Sequence, residues 1–160
     1  MESTHEIAQL NVGRAVAPMD APEMTGFVAR LDEINALAER SEGFRWRLQD
    51  ESGNATELRV SDDPLVIINL TVWKTIDDLH AFTYRSDHKE VFARRYEWFE
   101  RWDGPSTVLW WQAAGTIPSI DDAFRRLALL AERGPTEEAF TFKQPFEPPA
   151  TPESGSDPAP

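Results

Sequence analysis

Apolar and polar residues alternate from Ile7 to Ala15, with Leu10 and Val12 on one side and Gln9 and Asn11 on the other, which predicts a first strand. Asp20-Ala21-Pro22-Glu23 opens a helix, with proline near the first turn and acids at the positive end of the macrodipole. The helix runs to about Arg40. Met24, Phe27, Val28, Leu31, Ile34, Leu37 and Ala38 keep three- and four-residue spacing on it and form one apolar stripe. After Ser41-Glu42-Gly43, Phe44, Trp46 and Leu48 alternate with Arg45, Arg47 and Gln49 as a half-exposed strand, and Glu57 to Val60 suit a short returning strand. Leu65 to Trp73 is apolar on both sides, the pattern of a central strand. Thr75 with Asp78 starts a short helix ending near Tyr84, and Ser86 caps another from Asp87 to about Trp102. Gly104-Pro105 ends that helix, and Thr107 to Ala114 forms the last strand. Ser119 with Asp122 caps a final helix to Arg133, closed by Gly134-Pro135.

The order is β-α-β-β-α-β with an added C-terminal helix, an α+β class of ferredoxin-like topology: an antiparallel sheet with helices on one face. Val66, Ile68, Leu70 and Val72 point to one side of their strand, Ile67 and Trp73 to the other, and Trp110 and Trp111 oppose each other in the same way. One layer of helices covers only one face, so the other is expected to be covered by a second copy, as a homodimer. From Gln144 onward Pro, Ser, Gly and acids dominate, so the expected division is a domain over residues 6–143 and a disordered acidic tail over 144–160.

Several stretches carry a resemblance. Val72-Trp73-Lys74-Thr75-Ile76-Asp77-Asp78-Leu79-His80-Ala81-Phe82, followed by Tyr84-Arg85-Ser86-Asp87-His88, resembles the strand-to-helix segment of the dimeric α/β-barrel superfamily, which includes the antibiotic-biosynthesis monooxygenases. Residues 7–142 resemble more closely one uncharacterised bacterial branch of it, a family of domains of unknown function. The residues that carry this are Ala8-Gln9-Leu10-Asn11, Ile34-Asn35-Ala36-Leu37-Ala38-Glu39, Phe44-Arg45-Trp46-Arg47-Leu48-Gln49, Arg94-Arg95-Tyr96-Glu97-Trp98-Phe99 and Leu109-Trp110-Trp111. The resemblance implies a dimeric barrel of two such domains and implies no activity, because one fold hosts many functions.

Composition removes several classes. The chain has no cysteine, which excludes disulfides, thiolate metal sites and a cysteine nucleophile and fits a cytoplasmic location. The first residues carry neither a basic nor an apolar leader segment, and no apolar run approaches the ~20 residues that cross a bilayer. A net charge of −12 repels phosphate backbones and anionic lipid, so neither nucleic acid nor membrane is an expected partner.

His88 and Arg95 are the candidate catalytic residues. His88 falls in the first turn of its helix, on a stripe with Phe92, Arg95, Phe99 and Trp102 expected to face the sheet. A neutral, sheet-facing histidine can act as a base, a hydrogen-bond donor or an axial ligand, or can be a core residue bonded to a backbone carbonyl. A long cation on that stripe either pairs with a carboxylate or meets an anionic ligand group. Asn35 and Asn69 interrupt apolar patterns, and a buried amide must find partners in the backbone or in a ligand. Gln9 and Asn11 raise the same question. Trp46, Trp73, Trp110 and Trp111 serve core packing or form an aromatic wall, and Trp73, Tyr84, Phe92 and Trp110 complete the expected ligand-binding set with the two asparagines. The histidines show no metal-ligand spacing, and no Gly-rich phosphate loop or nucleophile elbow is present.

Three functions fit. One is a binding protein for a small, hydrophobic, aromatic-type molecule or a cofactor-independent oxygenase or isomerase acting on it. There His88 is the base, Asn35 or Asn69 holds a carbonyl, and Arg95 steadies an enolate-like charge. The second fills the same pocket with haem ligated by His88. The third is a non-catalytic dimeric module.

Overall fold

β1 (His5–Arg14) forms because its alternate residues are apolar, and it becomes a central strand because both its edges find partners. The computed structural model describes residues 4–49, 62–85 and 93–149. Among these, β2 (Phe44–Arg47), β3 (Val66–Trp73) and β4 (Thr107–Ala113) join β1 in an open four-stranded sheet of order β2-β3-β1-β4. All three neighbouring pairs are antiparallel. A 3-10 turn at Pro22–Met24 leads into α1 (Thr25–Glu39), and α2 (Ile76–Arg85) follows β3. The Thr75 hydroxyl caps α2 by accepting the Asp78 N–H at 3.0 Å. α3 (Arg95–Trp98) precedes β4, and α4 (Ile120–Arg133) closes the order.

The register sorts the sheet into two faces. Ile7 opposes Trp73 and Trp111, so Ile7, Gln9, Asn11, Asn69, Thr71, Trp73, Leu109 and Trp111 share one face. Ala8, Leu10, Val12, Ile68, Leu70, Val72, Val108 and Trp110 share the other, and each of them is buried. α4 lies on this second face through Ala123, Leu127 and Leu130. Ser119 caps it by accepting the Asp122 N–H at 3.1 Å, and Gly134 ends it at a positive φ of 72°. The apolar face for which the strand pattern invoked a second copy is therefore covered by α4 within one chain. The sequence supplied that helix but left its place open.

The first face is covered differently. Ile34, Leu37 and Ala38 of α1, Leu79 and Phe82 of α2 and Phe140 pack on Ile7, Trp73 and Leu109. Beyond α4, Phe140 forms a two-bond bridge to Leu109, at 2.8 and 2.9 Å. Phe146, placed by composition in the tail, packs on Phe140 with ring centroids 5.7 Å apart, and its carbonyl accepts the Trp111 indole N–H at 2.8 Å. A third cluster joins Met24, Phe27, Trp98 and Phe99 beside Ala15.

Two differences from the sequence pattern concern the segment before β4. The helix expected to reach Trp102 stops at Trp98, because Phe99 turns extended and bridges Ala15 while the Glu100 N–H reaches the Arg14 carbonyl at 2.9 Å. Gly13 is the residue under Phe99: a Cβ there would lie 2.9 Å from the Phe99 ring, so glycine permits the close approach. The expected strand at Glu57–Val60 lies outside the described residues.

Candidate functional site

On the face covered by α1 and α2, β3 presents side chains at alternate positions, roughly 6.7 Å apart. In order they are the indole of Trp73, the hydroxyl of Thr71 and the amide of Asn69. The neighbouring residues on β1 are Ile7, Gln9 and Asn11. Gln9 and Thr71 are both buried, and the Thr71 hydroxyl donates to Gln9 Oε1 at 3.2 Å. Asn11 and Asn69 stand directly opposite each other, Asn11 half-buried and Asn69 exposed. A polar row thus crosses a sheet face that has apolar clusters at both ends, around Trp73 and around Phe27, Trp98 and Phe99.

Trp73 sets the chemistry of the apolar end. Its ring is fully buried, stacked on Phe82 at 5.1 Å and meeting Phe44 edge-on at 5.4 Å. Its indole Nε1 is a buried donor with no hydrogen-bond partner among the described residues. Trp111, opposite Ile7 on the same face, has its N–H satisfied by Phe146, so the two indoles differ in kind.

The structure brings together part of the set read from the sequence. Trp73 and Asn69 share the face of α1 and α2, and Asn35 is half-buried on α1 with a partner of its own. Trp110 is buried on the opposite face, under the Arg126 guanidinium at 5.2 Å, and does not meet Trp73. Tyr84 lies at the outer end of α2 against His80 and Phe142, 37% exposed. Arg95 is half-buried, with its guanidinium 4.6 Å from the ring of Tyr96, itself an exposed residue, and the buried side chain of α3 is Trp98. His88 and Phe92 lie outside the described residues. Among the described residues no three His, Asp or Glu side chains converge as metal ligands.

Thr71 went unread because a threonine in an apolar strand looks like ordinary β-branched packing. Its signal was the alignment with Gln9, visible only once the strands are paired.

A family model described as Domain of unknown function (DUF3291) matches residues 6–156. No curated protein is significantly similar to the chain. Among solved structures the chain is similar to that of Rv0793 from Mycobacterium tuberculosis, 16% identical, covering 71% of this chain and 99% of that one with a TM-score of 0.47. It is also similar to the NE2512 protein of unknown function from Nitrosomonas europaea, 11% identical, covering 72% and 97% with a TM-score of 0.45. PA3566 from Pseudomonas aeruginosa is 13% identical, covering 72% and 99% with a TM-score of 0.46.

Proposed function

This chain belongs to the DUF3291 family, a domain of unknown function, and from that premise we propose that it binds a small, flat, largely hydrophobic molecule carrying a hydrogen-bond acceptor. The site would lie on the sheet face under α1 and α2, at Trp73. The observation that carries this reading is the Trp73 indole N–H, buried with no acceptor among the described residues. A buried indole N–H ordinarily finds a partner, and leaving one unpaired costs about 1–3 kcal/mol. A ligand carbonyl or hydroxyl would supply the partner, the rings of Phe44, Trp73 and Phe82 the apolar wall, and Asn69 and Asn11 further hydrogen bonds.

The order β2-β3-β1-β4 places β3 between β1 and β2 and β1 between β3 and β4, which supports a ferredoxin-like reading of the sheet. A catalytic version of the function, a cofactor-independent oxygenase or isomerase, rests on His88 as base, and a haem version rests on the same residue. A homodimer of barrel type, expected from the two-sided strands, has to use surface other than the centre of the face under α4. Exposed apolar side chains remain at Val16, Val28, Tyr96 and Ile117.

Native mass spectrometry of the full chain as purified from cells tests the reading and the assembly together. The expected spectrum holds a bound organic mass, and a homodimer adds a species at twice 18.2 kDa. Titration with 9-fluorenone, a flat aromatic ketone, should then bind the wild type about fivefold more tightly than Trp73→Phe, the worth of one net hydrogen bond of ~1 kcal/mol. Equal binding by the two, with no retained ligand, sinks the proposal.

A further inference from the structure

On the α4 side of the sheet, near the start of β1, a cavity of about 210 Å³ opens between β2, β3 and the turn after β4, and none of the residues that line it belongs to α4. Its polar lining includes Glu6 and Arg45, and its apolar lining is Trp46, Val72 and Ile117. Glu6 sits one residue before the alternating strand pattern. In the fold it is buried. Its Oε1 accepts the Gly115 N–H at 2.9 Å, from a turn residue at a φ of 83°, and its Oε2 lies 2.9 Å from Arg45 Nε.

A buried carboxylate stays buried only when paired and hydrogen-bonded, and both oxygens of Glu6 are engaged. Arg45 is in the opposite state. Its side chain is 42% exposed, and its closest approach to Glu6 is through Nε, on a guanidinium that lines the cavity and carries two terminal amino groups besides. Ile117, at the mouth, is 65% exposed, so an apolar wall stands in water beside a cation.

We propose that this cavity is a second ligand site, on the sheet face opposite the first and independent of it, for a small monocarboxylate with an apolar body. The carboxylate lies on the terminal amino groups of Arg45 and the body on Trp46, Val72 and Ile117. Glu6 is a positioning residue. Anchored by the Gly115 N–H, it holds Nε and so orients the planar fork that suits a carboxylate. A cationic ligand finds no free carboxylate oxygen at Glu6. The volume falls below the ~300–1,000 Å³ of sites for drug-sized molecules, which selects a ligand about the size of one substituted ring.

The test is an amide-resolved NMR titration of the full chain with benzoate, benzamide and benzylamine. Benzoate should shift the Glu6, Trp46, Val72 and Gly115 amides saturably, and benzamide, of the same shape without the charge, should bind at least tenfold more weakly. Arg45→Gln, made together with Glu6→Gln so that no buried carboxylate loses its partner, should cost benzoate at least tenfold. Ile117→Ser should weaken benzoate and benzamide alike. Shifts at other residues, equal affinity for benzoate and benzamide, a preference for benzylamine, or benzoate binding that survives the double substitution would each overturn the proposal.

Discussion

The two faces of the sheet are covered by different means. On one, a single helix with Ser119 as a side-chain cap and two acids in its first turn lays Ala123, Leu127 and Leu130 on strand residues that are all apolar. On the other, α1 starts without a side-chain cap and without acids in its first turn, and buries only Ala38 fully. It shares the covering with α2 and with the segment around Phe140. Polar side chains, Gln9, Thr71, Asn11 and Asn69, cross the face under α1 and α2, and one buried donor there has no partner among the described residues. A face made only for packing has no need of them. The difference teaches that the α4 face holds the chain together at its centre, while the α1 and α2 face gives up packing for hydrogen-bonding groups, the trade-off that the proposed binding function would require.

The sharpest way to break that comparison is by truncation on each side. Leu127→Ala should cost about 2–5 kcal/mol in urea unfolding, the range for a buried leucine whose site cannot collapse. Ile34→Ala, on half-buried α1, should cost less than half as much. Equal losses would mean that both faces are packed alike.

A smaller effect separates the two ends of the C-terminal segment. A chain ending at residue 149 should melt close to the full-length protein. A chain ending at residue 143 loses Phe146 and leaves the Trp111 N–H unpaired, which should cost about 2–3 kcal/mol by differential scanning calorimetry. Identical melting of the two chains would show that Phe146 adds nothing to its face.

The smallest effect is electrostatic. Partial burial would raise the Asp122 carboxyl, but hydrogen bonds from Arg126 and Arg125 outweigh it and hold the group below its ordinary range. A depressed carboxylate contributes stability that is complete above its unfolded value and is lost as pH falls through the folded one. The loss should therefore begin below about pH 4. Because the side chain is about one-third exposed, the contribution should be well under 1 kcal/mol. Asp122→Asn should flatten the acid limb of the stability curve slightly. An unchanged limb would show that the arginines do not support the start of α4.

How much could be read from the residues follows from the range of the interaction involved. β1, β3 and β4 were legible because period-two alternation or a two-sided apolar run is a local pattern. α4 was legible because Ser119, the 3–4 spacing and Gly134 mark its start, face and end. The end of α3 was not, since Phe99 leaves the helix to pair with Ala15, more than eighty residues away in the chain. The stripe that joined Arg95 to Phe99 failed for the same reason, and Trp98 took the buried position. On the α1 and α2 face, Trp73 and Asn69 are legible as a bulky residue and a polar break in a strand. The Gln9–Thr71 bond and the Glu6–Arg45 pair are not, because each joins strands whose register no single stretch encodes.

Among the described residues, residue order alone sufficed for the kinds of element and for the alternation that points Trp110 and Trp111 to opposite sides, since these depend on backbone geometry within a few residues. Which face α4 would cover, that Phe146 belongs to the body, that one tryptophan N–H would be satisfied and another left without a partner, and that Glu6 would be buried beside a half-exposed arginine came from long-range assembly. Burial and hydrogen-bond satisfaction are properties of neighbours, and the neighbours in each case are brought together from distant parts of the chain.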